Sequence, residues 1–135
     1  MQVIVDSNVL AGLFLSEDAQ HNESTDFFRL VLQQKIKPVL STLALPEACG
    51  AIRRRSDALV AEEIRKKINS YIASHIFEVA ELTKQRMDNA ARTAIEFGLK
   101  GPDAVHVALA QELHAQLLTF YEEINKNAKR VRLFN

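Results

Sequence analysis

Several residue types are scarce in this chain, and each shortage excludes a class of protein. The 135 residues include one cysteine, so no intrachain disulfide can form, and a thiolate metal site is not indicated. No apolar run approaches the roughly 20 residues that cross a membrane. The N-terminus lacks the basic and apolar segments of a signal peptide. We therefore expect a cytoplasmic protein with no membrane partner.

Neither sign of charge is in excess, since 17 Lys and Arg residues balance 17 Asp and Glu residues. Overall charge therefore does not point to nucleic acid, and any basic surface must be local. Apolar residues make up 47% of the chain, which is enough for a buried core and excludes a disordered chain. The length predicts a single domain over residues 1–135.

Apolar runs and amphipathic segments alternate along the chain, which indicates alternating strands and helices. The unbroken run Val3-Ile4-Val5 suits a strand buried on both faces. Further strands are predicted at about 38–41, 77–82, 116–121 and 131–134, and helices at about 9–15, 27–36, 43–55, 58–74, 83–97 and 104–115, with a short helix or loop at 122–129. This order predicts a three-layer α/β domain, with a central, mainly parallel sheet of four to five strands flanked by helices.

Polar residues before the apolar periodicity predict where several helices begin. Asp6 or Ser7 would cap the first helix, residues 24–26 the second, and Ser56-Asp57 the fourth. Apolar spacing predicts the buried sides of the fourth and fifth helices. These sides contain Leu59, Ile64, Ile68 and Ile72 in the fourth helix, and Met87, Ala90, Ala91, Ala94 and Ile95 in the fifth.

Three acidic residues follow or precede predicted elements in a way that brings them to one edge of the sheet. Asp6 follows the first strand, Glu47 lies in the helix after the second, and Asp103 begins the helix that leads to the fourth. In a parallel sheet these positions share the edge formed by the carboxyl ends of the strands. Close carboxylates either raise a pKa or hold a cation. Oxygen ligands suit Mg²⁺ or Mn²⁺ rather than zinc.

The ordered set of motifs around these acids resembles the PIN-domain family, and within it the VapC-type toxin ribonucleases. The motifs are Val-Ile-Val-Asp-Ser-Asn-Val-Leu at 3–10, Leu-Pro-Glu-Ala at 45–48, Gly-Pro-Asp-Ala-Val-His-Val-Ala-Leu-Ala at 101–110 and Leu-Leu-Thr-Phe at 117–120. The resemblance implies a Mg²⁺- or Mn²⁺-dependent endoribonuclease that leaves 5′-phosphate and 3′-hydroxyl ends. It also implies an RNA substrate, a cognate antitoxin protein and a homodimer.

Carried over by motif, Asp6, Glu47 and Asp103 match the first three acids of the family. The resemblance makes Asp6 and Asp103 the central metal ligands, and Glu47 a ligand or the group that orients the attacking water. The fourth acid does not match, because Tyr121 stands at its position and a phenol is a poor Mg²⁺ ligand at neutral pH. The neighbouring Glu122 is a further candidate ligand.

Other residues near these motifs have both a functional and a structural interpretation. Thr119 matches the small hydroxyl before the fourth acid and could orient a metal-bound water. Asn8 could orient a metal ligand or simply form a turn. Arg53, Arg54 and Arg55 end the helix that carries Glu47, where they would contact RNA phosphates or interact with the helix C-terminus. For His106, packing or surface roles are favoured over that of a general base.

Two alternative functions stay open. Loss of the fourth acid at Tyr121 would fit a PIN-like domain with weakened or lost catalysis, acting as an RNA- or protein-binding module. A receiver-like signalling domain is disfavoured, because such domains carry a phosphoacceptor Asp after the third strand, where this chain has Leu82-Thr83.

Overall fold

A four-stranded parallel sheet lies at the centre of the structure, a computed structural model that describes residues 1–120. The strands are β1 (Gln2–Val5), β2 (Lys37–Ser41), β3 (Glu78–Ala80) and β4 (Gln116–Leu118). Their order is β3-β2-β1-β4, and all neighbouring pairs are parallel. The predicted parallel α/β architecture is therefore confirmed. The predicted elements at 122–129 and 131–134 lie outside the described residues, as do Tyr121 and Glu122.

Helices cover both faces of this sheet. They are α1 (Ser7–Phe14), α2 (His21–Leu32), α3 (Ala44–Arg55), α4 (Ala58–Ala73), α5 (Lys84–Phe97) and α6 (Gly101–Glu112). Residues of α1 to α4 form one core cluster with Val3 and Val5, and residues of α5 and α6 form the other with Ile4. This division follows from the alternation of side chains along β1. No helix among residues 1–120 combines the length and apolar character needed to cross a membrane.

Side-chain caps fix the starts of three helices. Asp6 Oδ1 accepts a 2.7 Å hydrogen bond from the Ser7 N–H at the start of α1. Asp57 caps α4 through the Val60 N–H at 2.8 Å, and Thr83 caps α5. Gly98 ends α5 in the left-handed conformation, with φ of 65°. The predictions that Asp6 and Asp57 are caps are confirmed.

The second helix differs from its prediction at both ends. It begins at His21 rather than after residues 24–26, and it ends at Leu32 instead of near Ile36. The Thr25 hydroxyl donates to the His21 carbonyl oxygen at 2.9 Å, so it bonds back within the helix instead of capping it. Gln34 adopts a φ of 60°, which stops the helix and turns the chain toward β2.

Four apolar residues expected in the core are instead exposed, among them Ala91. Leu59, Met87 and Ile95 have relative exposures of 71%, 60% and 85%. The buried side of α4 is formed by Ala61, Ile64 and Ile68, and that of α5 by Ala90 and Thr93. Small residues let α5 pack closely on α6, which places the long side chains of α5 on the outer side.

Candidate active site

Asp6 lies at the carboxyl end of the central strand, and its carboxylate is held on both oxygens. The Asp6 backbone N–H donates to the Leu118 carbonyl oxygen at 3.0 Å, which extends the contact of β1 with β4. Oδ1 caps α1, as described, and Oδ2 accepts a 2.7 Å hydrogen bond from the Thr119 hydroxyl. The residue is 1% exposed. This geometry fixes the carboxylate at the sheet edge.

Glu47 lies in the first turn of α3, directly after β2. Its Oε1 atom is buried and has no hydrogen-bond partner among the described residues. Burial raises the pKa of the Glu47 carboxyl above its ordinary value of 4.5, and the charges of Asp6 and Asp103 raise it further. His106 and a hydrogen bond from Ser7 act in the opposite direction. Glu47 is therefore a carboxyl with unused acceptor capacity in a partly desolvated, acidic site.

Asp103 reaches the same edge from the other face of the sheet. It lies in the first turn of α6, is 8% exposed, and its charge acts on Glu47. The structure thus brings the three acids of the sequence analysis, Asp6, Glu47 and Asp103, into one electrostatic environment. The sheet explains this convergence, because α6 packs against both β1 and β4.

The carboxylates at this edge of the sheet are the ligand type that hard cations prefer, although they are not arranged as a coordination shell. Within residues 1–120, no three His, Cys, Asp or Glu side chains form a group that could hold a metal ion as they stand. The buried, unpartnered Glu47 Oε1 is a donor that a cation would satisfy. A cation would also remove the repulsion that raises the pKa of Glu47. Carboxylate oxygens alone suit Mg²⁺ or Mn²⁺, and the residues present therefore fit such an ion.

His106 is a site residue that the sequence analysis did not identify, having favoured packing or surface roles. Its side chain is fully buried, with Nδ1 3.5 Å from Asp6 Oδ1 and Nε2 3.4 Å from the Ser41 hydroxyl. The first distance is too long for a good hydrogen bond, and Nδ1 has no other partner in the described part of the chain. The imidazole therefore lies against Asp6 at the ends of β1 and β2. Its position one turn after Asp103 on α6 was the available signal.

A cleft of about 440 Å³ opens beside Glu47. Ser7, Asn8 and Glu47 line one part of it, and Arg54 and Arg55 line another. The nitrogen and oxygen of the Asn8 amide are both buried and have no hydrogen-bond partner among the described residues. The unsatisfied amide leaves unused hydrogen-bonding capacity in the cleft wall.

The three consecutive arginines at the end of α3 have different surroundings. Arg55 forms an ion pair of 2.7 Å with Asp18, and this hydrogen bond holds the pKa of the Asp18 carboxyl below its ordinary value, with help from the Gln20 N–H. Arg54 lines the cleft and forms no ion pair with the residues that the structure describes. Arg53 is exposed and is not among the residues that line the cleft.

The family model of the PIN domain matches residues 3–130 of this sequence. The chain belongs to the PIN-domain family. The four parallel strands, the flanking helices and the acids at the sheet edge described above lie within the matched range. No curated protein matches the sequence significantly.

Solved structures with the same fold include toxins of the VapC type. VapC20 of Mycobacterium tuberculosis, described as a toxin that cleaves the sarcin–ricin loop, is 17% identical, with a TM-score of 0.74 over 96% of this chain and 95% of that one. VapBC2 of Rickettsia felis, bound to a DNA fragment from its promoter, is 13% identical, with a TM-score of 0.70 over 100% and 98%. A toxin–antitoxin complex from Klebsiella pneumoniae is 19% identical, with a TM-score of 0.61 over 88% and 86%. At these identities the likeness concerns the fold.

Proposed function

We propose that this PIN-domain protein is a Mg²⁺- or Mn²⁺-dependent endoribonuclease and the toxin of a type II toxin–antitoxin pair. The observation that carries the proposal is the acidic edge of the sheet. There the Oε1 atom of Glu47 has no hydrogen-bond partner among residues 1–120, and the negative charges of Asp6 and Asp103 act on this carboxyl. Membership of the PIN-domain family supports a nuclease. The proposed substrate is RNA.

The proposed ligands of the cation are Asp6 and Asp103, with Glu47 as a third. When bound, a divalent cation offsets negative charge on the phosphoryl oxygens and on the leaving 3′ oxygen, and it activates water. As the alternative to a ligand role, Glu47 orients the attacking water through its buried Oε1, which has no hydrogen-bond partner among residues 1–120. Ser7 and Thr119 hold Asp6 in a fixed orientation through the hydrogen bonds to its two oxygens.

The remaining expectations belong to the same proposal. Glu122, which lies outside the described residues, is proposed as a further ligand, and Asn8, which lines the cleft with Glu47, as an orienting group. A cognate antitoxin and a homodimer are proposed as protein partners, and no membrane is proposed as a partner. One of the similar solved structures is described as a toxin–antitoxin complex, which supports the antitoxin. We place the protein in the cytoplasm.

Two observations favour a second function, an RNA- or protein-binding PIN domain with weakened catalysis. Tyr121 occupies the position of the fourth family acid. In addition, the acids among residues 1–120 do not form a ready coordination group. A lower affinity for the cation would follow from both.

Cleavage of RNA by purified, antitoxin-free protein distinguishes these functions. The wild-type protein, Asp6→Asn and Glu63→Gln, an exposed acid on α4, are incubated with labelled structured and single-stranded RNA in Mn²⁺ or EDTA. We expect Mn²⁺-dependent cleavage that leaves a 5′ phosphate, is lost in Asp6→Asn and is retained in Glu63→Gln. Equal background cleavage in wild type and Asp6→Asn contradicts the nuclease and favours the binding module.

A further inference from the structure

A glycine in the middle of α3 lies beneath one of the arginines that line the cleft. Gly50 has no conformational reason to be glycine, since it lies inside a helix. Glycine there costs about 1 kcal/mol relative to alanine. A Cβ atom at Gly50 would lie 3.3 Å from Nη1 of Arg54, closer than side chains usually approach. Gly50 therefore leaves the space in which the Arg54 guanidinium lies.

This placement directs Arg54 toward the acids. The guanidinium reaches back along α3 over Gly50, which is the direction of Glu47, three residues (about 4.5 Å of helix rise) from Gly50. Arg54 makes no ion pair and no hydrogen bond with any residue in the range 1–120. Its neighbour Arg55, by contrast, is already bound to Asp18. An unpaired guanidinium beside an acidic site is suited to a bound anion.

The cleft offers further features of a binding site. Its volume of about 440 Å³ falls within the roughly 300–1,000 Å³ of small-ligand sites. The buried Asn8 amide in its wall has no partner among the described residues for either its donor or its acceptor. An anionic ligand would pair with the Arg54 guanidinium, whereas the Asn8 amide atoms are too deeply buried for a ligand to contact in this arrangement. The phosphate of a nucleotide in a single strand is such an anion.

We infer that this cleft is a nucleotide-binding subsite in which Arg54 holds the phosphate next to the scissile one, and that Gly50 exists to keep this arginine in place. The inference rests on the proposed function, because it takes RNA as the occupant. From the sequence alone, Arg53, Arg54 and Arg55 had the same two interpretations. The inference now gives the phosphate contact to Arg54. Gly50 is a positioning residue in this arrangement.

Binding of RNA without metal tests the inference separately from catalysis. Fluorescence anisotropy in EDTA measures the Kd of a labelled single-stranded RNA of about 12 nucleotides over a range of salt concentrations. We expect Arg54→Gln to weaken binding about five- to tenfold. The slope of log K against log salt should become shallower by about 0.7 for the one lost phosphate contact. The matched control, Arg53→Gln, should change the Kd less than about twofold.

The glycine gives a second variant that separates binding from folding. Gly50→Ala should raise the Tm by about 4 °C, because alanine is the better helix former. Its methyl group requires Nη1 of Arg54 to shift by only a few tenths of an ångström, so the affinity for RNA should fall less than in Arg54→Gln. A more stable protein with a small loss of affinity supports the inference. An affinity for RNA higher than that of wild type contradicts the placement of the arginine.

The two proposals fail in different ways. Equal affinity of wild type and Arg54→Gln, or equal losses in Arg53→Gln and Arg54→Gln, overturns the subsite even if Asp6→Asn abolishes cleavage. If neither the wild type nor any variant cleaves RNA, but Arg54→Gln alone loses affinity for RNA, the proposed subsite is supported and the proposed nuclease activity is contradicted. A single-stranded DNA of the same sequence that binds as tightly as the RNA, and loses the same affinity in Arg54→Gln, overturns the assignment to RNA.

Discussion

The Thr119 hydroxyl donates a 2.7 Å hydrogen bond to Oδ2 of Asp6, joining the ends of β1 and β4 across 113 residues of sequence. Together with the Ser7 N–H on Oδ1, it determines the orientation of the carboxylate on which the proposed site depends. The hydrogen bond ties sheet formation to site geometry, because it exists only when the first and fourth strands are paired.

Replacing Thr119 with valine removes this hydrogen bond while keeping the shape of the side chain. We expect the free energy of unfolding to fall by about 1–2 kcal/mol, since a buried carboxylate loses a donor. RNA cleavage should fall as well, because Asp6 is no longer held. Urea denaturation and cleavage rates measure the two effects. Thr119→Ser keeps the hydroxyl and should behave like wild type; a serine variant as impaired as valine would assign the loss to packing.

Glu47 should make stability depend on pH in a defined direction. Its pKa is raised in the folded protein above the ordinary value of 4.5, so the folded state binds this proton more tightly than the unfolded state does. The carboxyl therefore favours the folded state below pH 4.5, and this contribution is lost as pH rises through the folded pKa. Near neutral pH the ionised Glu47 is a source of instability in the metal-free protein.

Glu47→Gln removes the destabilising charge of ionised Glu47. In EDTA, we expect the variant to have a higher Tm than wild type at pH 7, and the difference to shrink toward zero below pH 4.5. Thermal unfolding followed by circular dichroism across this range measures it. Glu63→Gln on the exposed side of α4 is the control and should show little change at any pH. A Glu47→Gln variant that is less stable than wild type at pH 7 would contradict the assigned environment.

His106 should support the site in two ways that can be separated. His106→Ala leaves a cavity beneath Asp6, so we expect a loss of about 2–4 kcal/mol in the free energy of unfolding. His106→Leu fills most of that volume and should cost less than about 1.5 kcal/mol. The leucine variant should still lose cleavage, because it places an apolar group against Asp6. Full cleavage by a stable leucine variant would show that His106 only packs.

The sequence predicted the sheet and the convergence of the acids, but only part of the helix packing. The run Val3-Ile4-Val5 and the alternation that follows it determined a parallel sheet, because a strand buried on both faces has few other environments. Parallel direction then brought Asp6, Glu47 and Asp103 to one edge without any distance being known. The buried side of α5 was predicted only in part, because Ala90 is buried as expected while Met87 and Ile95 are exposed and close helix packing buries Thr93 instead.

The partners of the acids could not be predicted in the same way. Contacts such as that of His106 with Asp6 depend on the rotation of α6 against the sheet, which spacing along one helix does not determine. The same limit applies to Arg53, Arg54 and Arg55, whose identical side chains differ only in the direction each takes from α3. The cleft beside Glu47 emerges only from the packed α1 and α3.

Direct measurement of cation binding tests the acidic site most sharply. Isothermal titration calorimetry with Mn²⁺ should show saturable binding to the wild-type protein and to Glu63→Gln. Affinity should be at least about tenfold lower in Asp6→Asn, because a charged ligand is lost. Absence of saturable binding to the wild type, or equal affinity in Asp6→Asn, would contradict the proposal that Asp6, Glu47 and Asp103 hold a divalent cation.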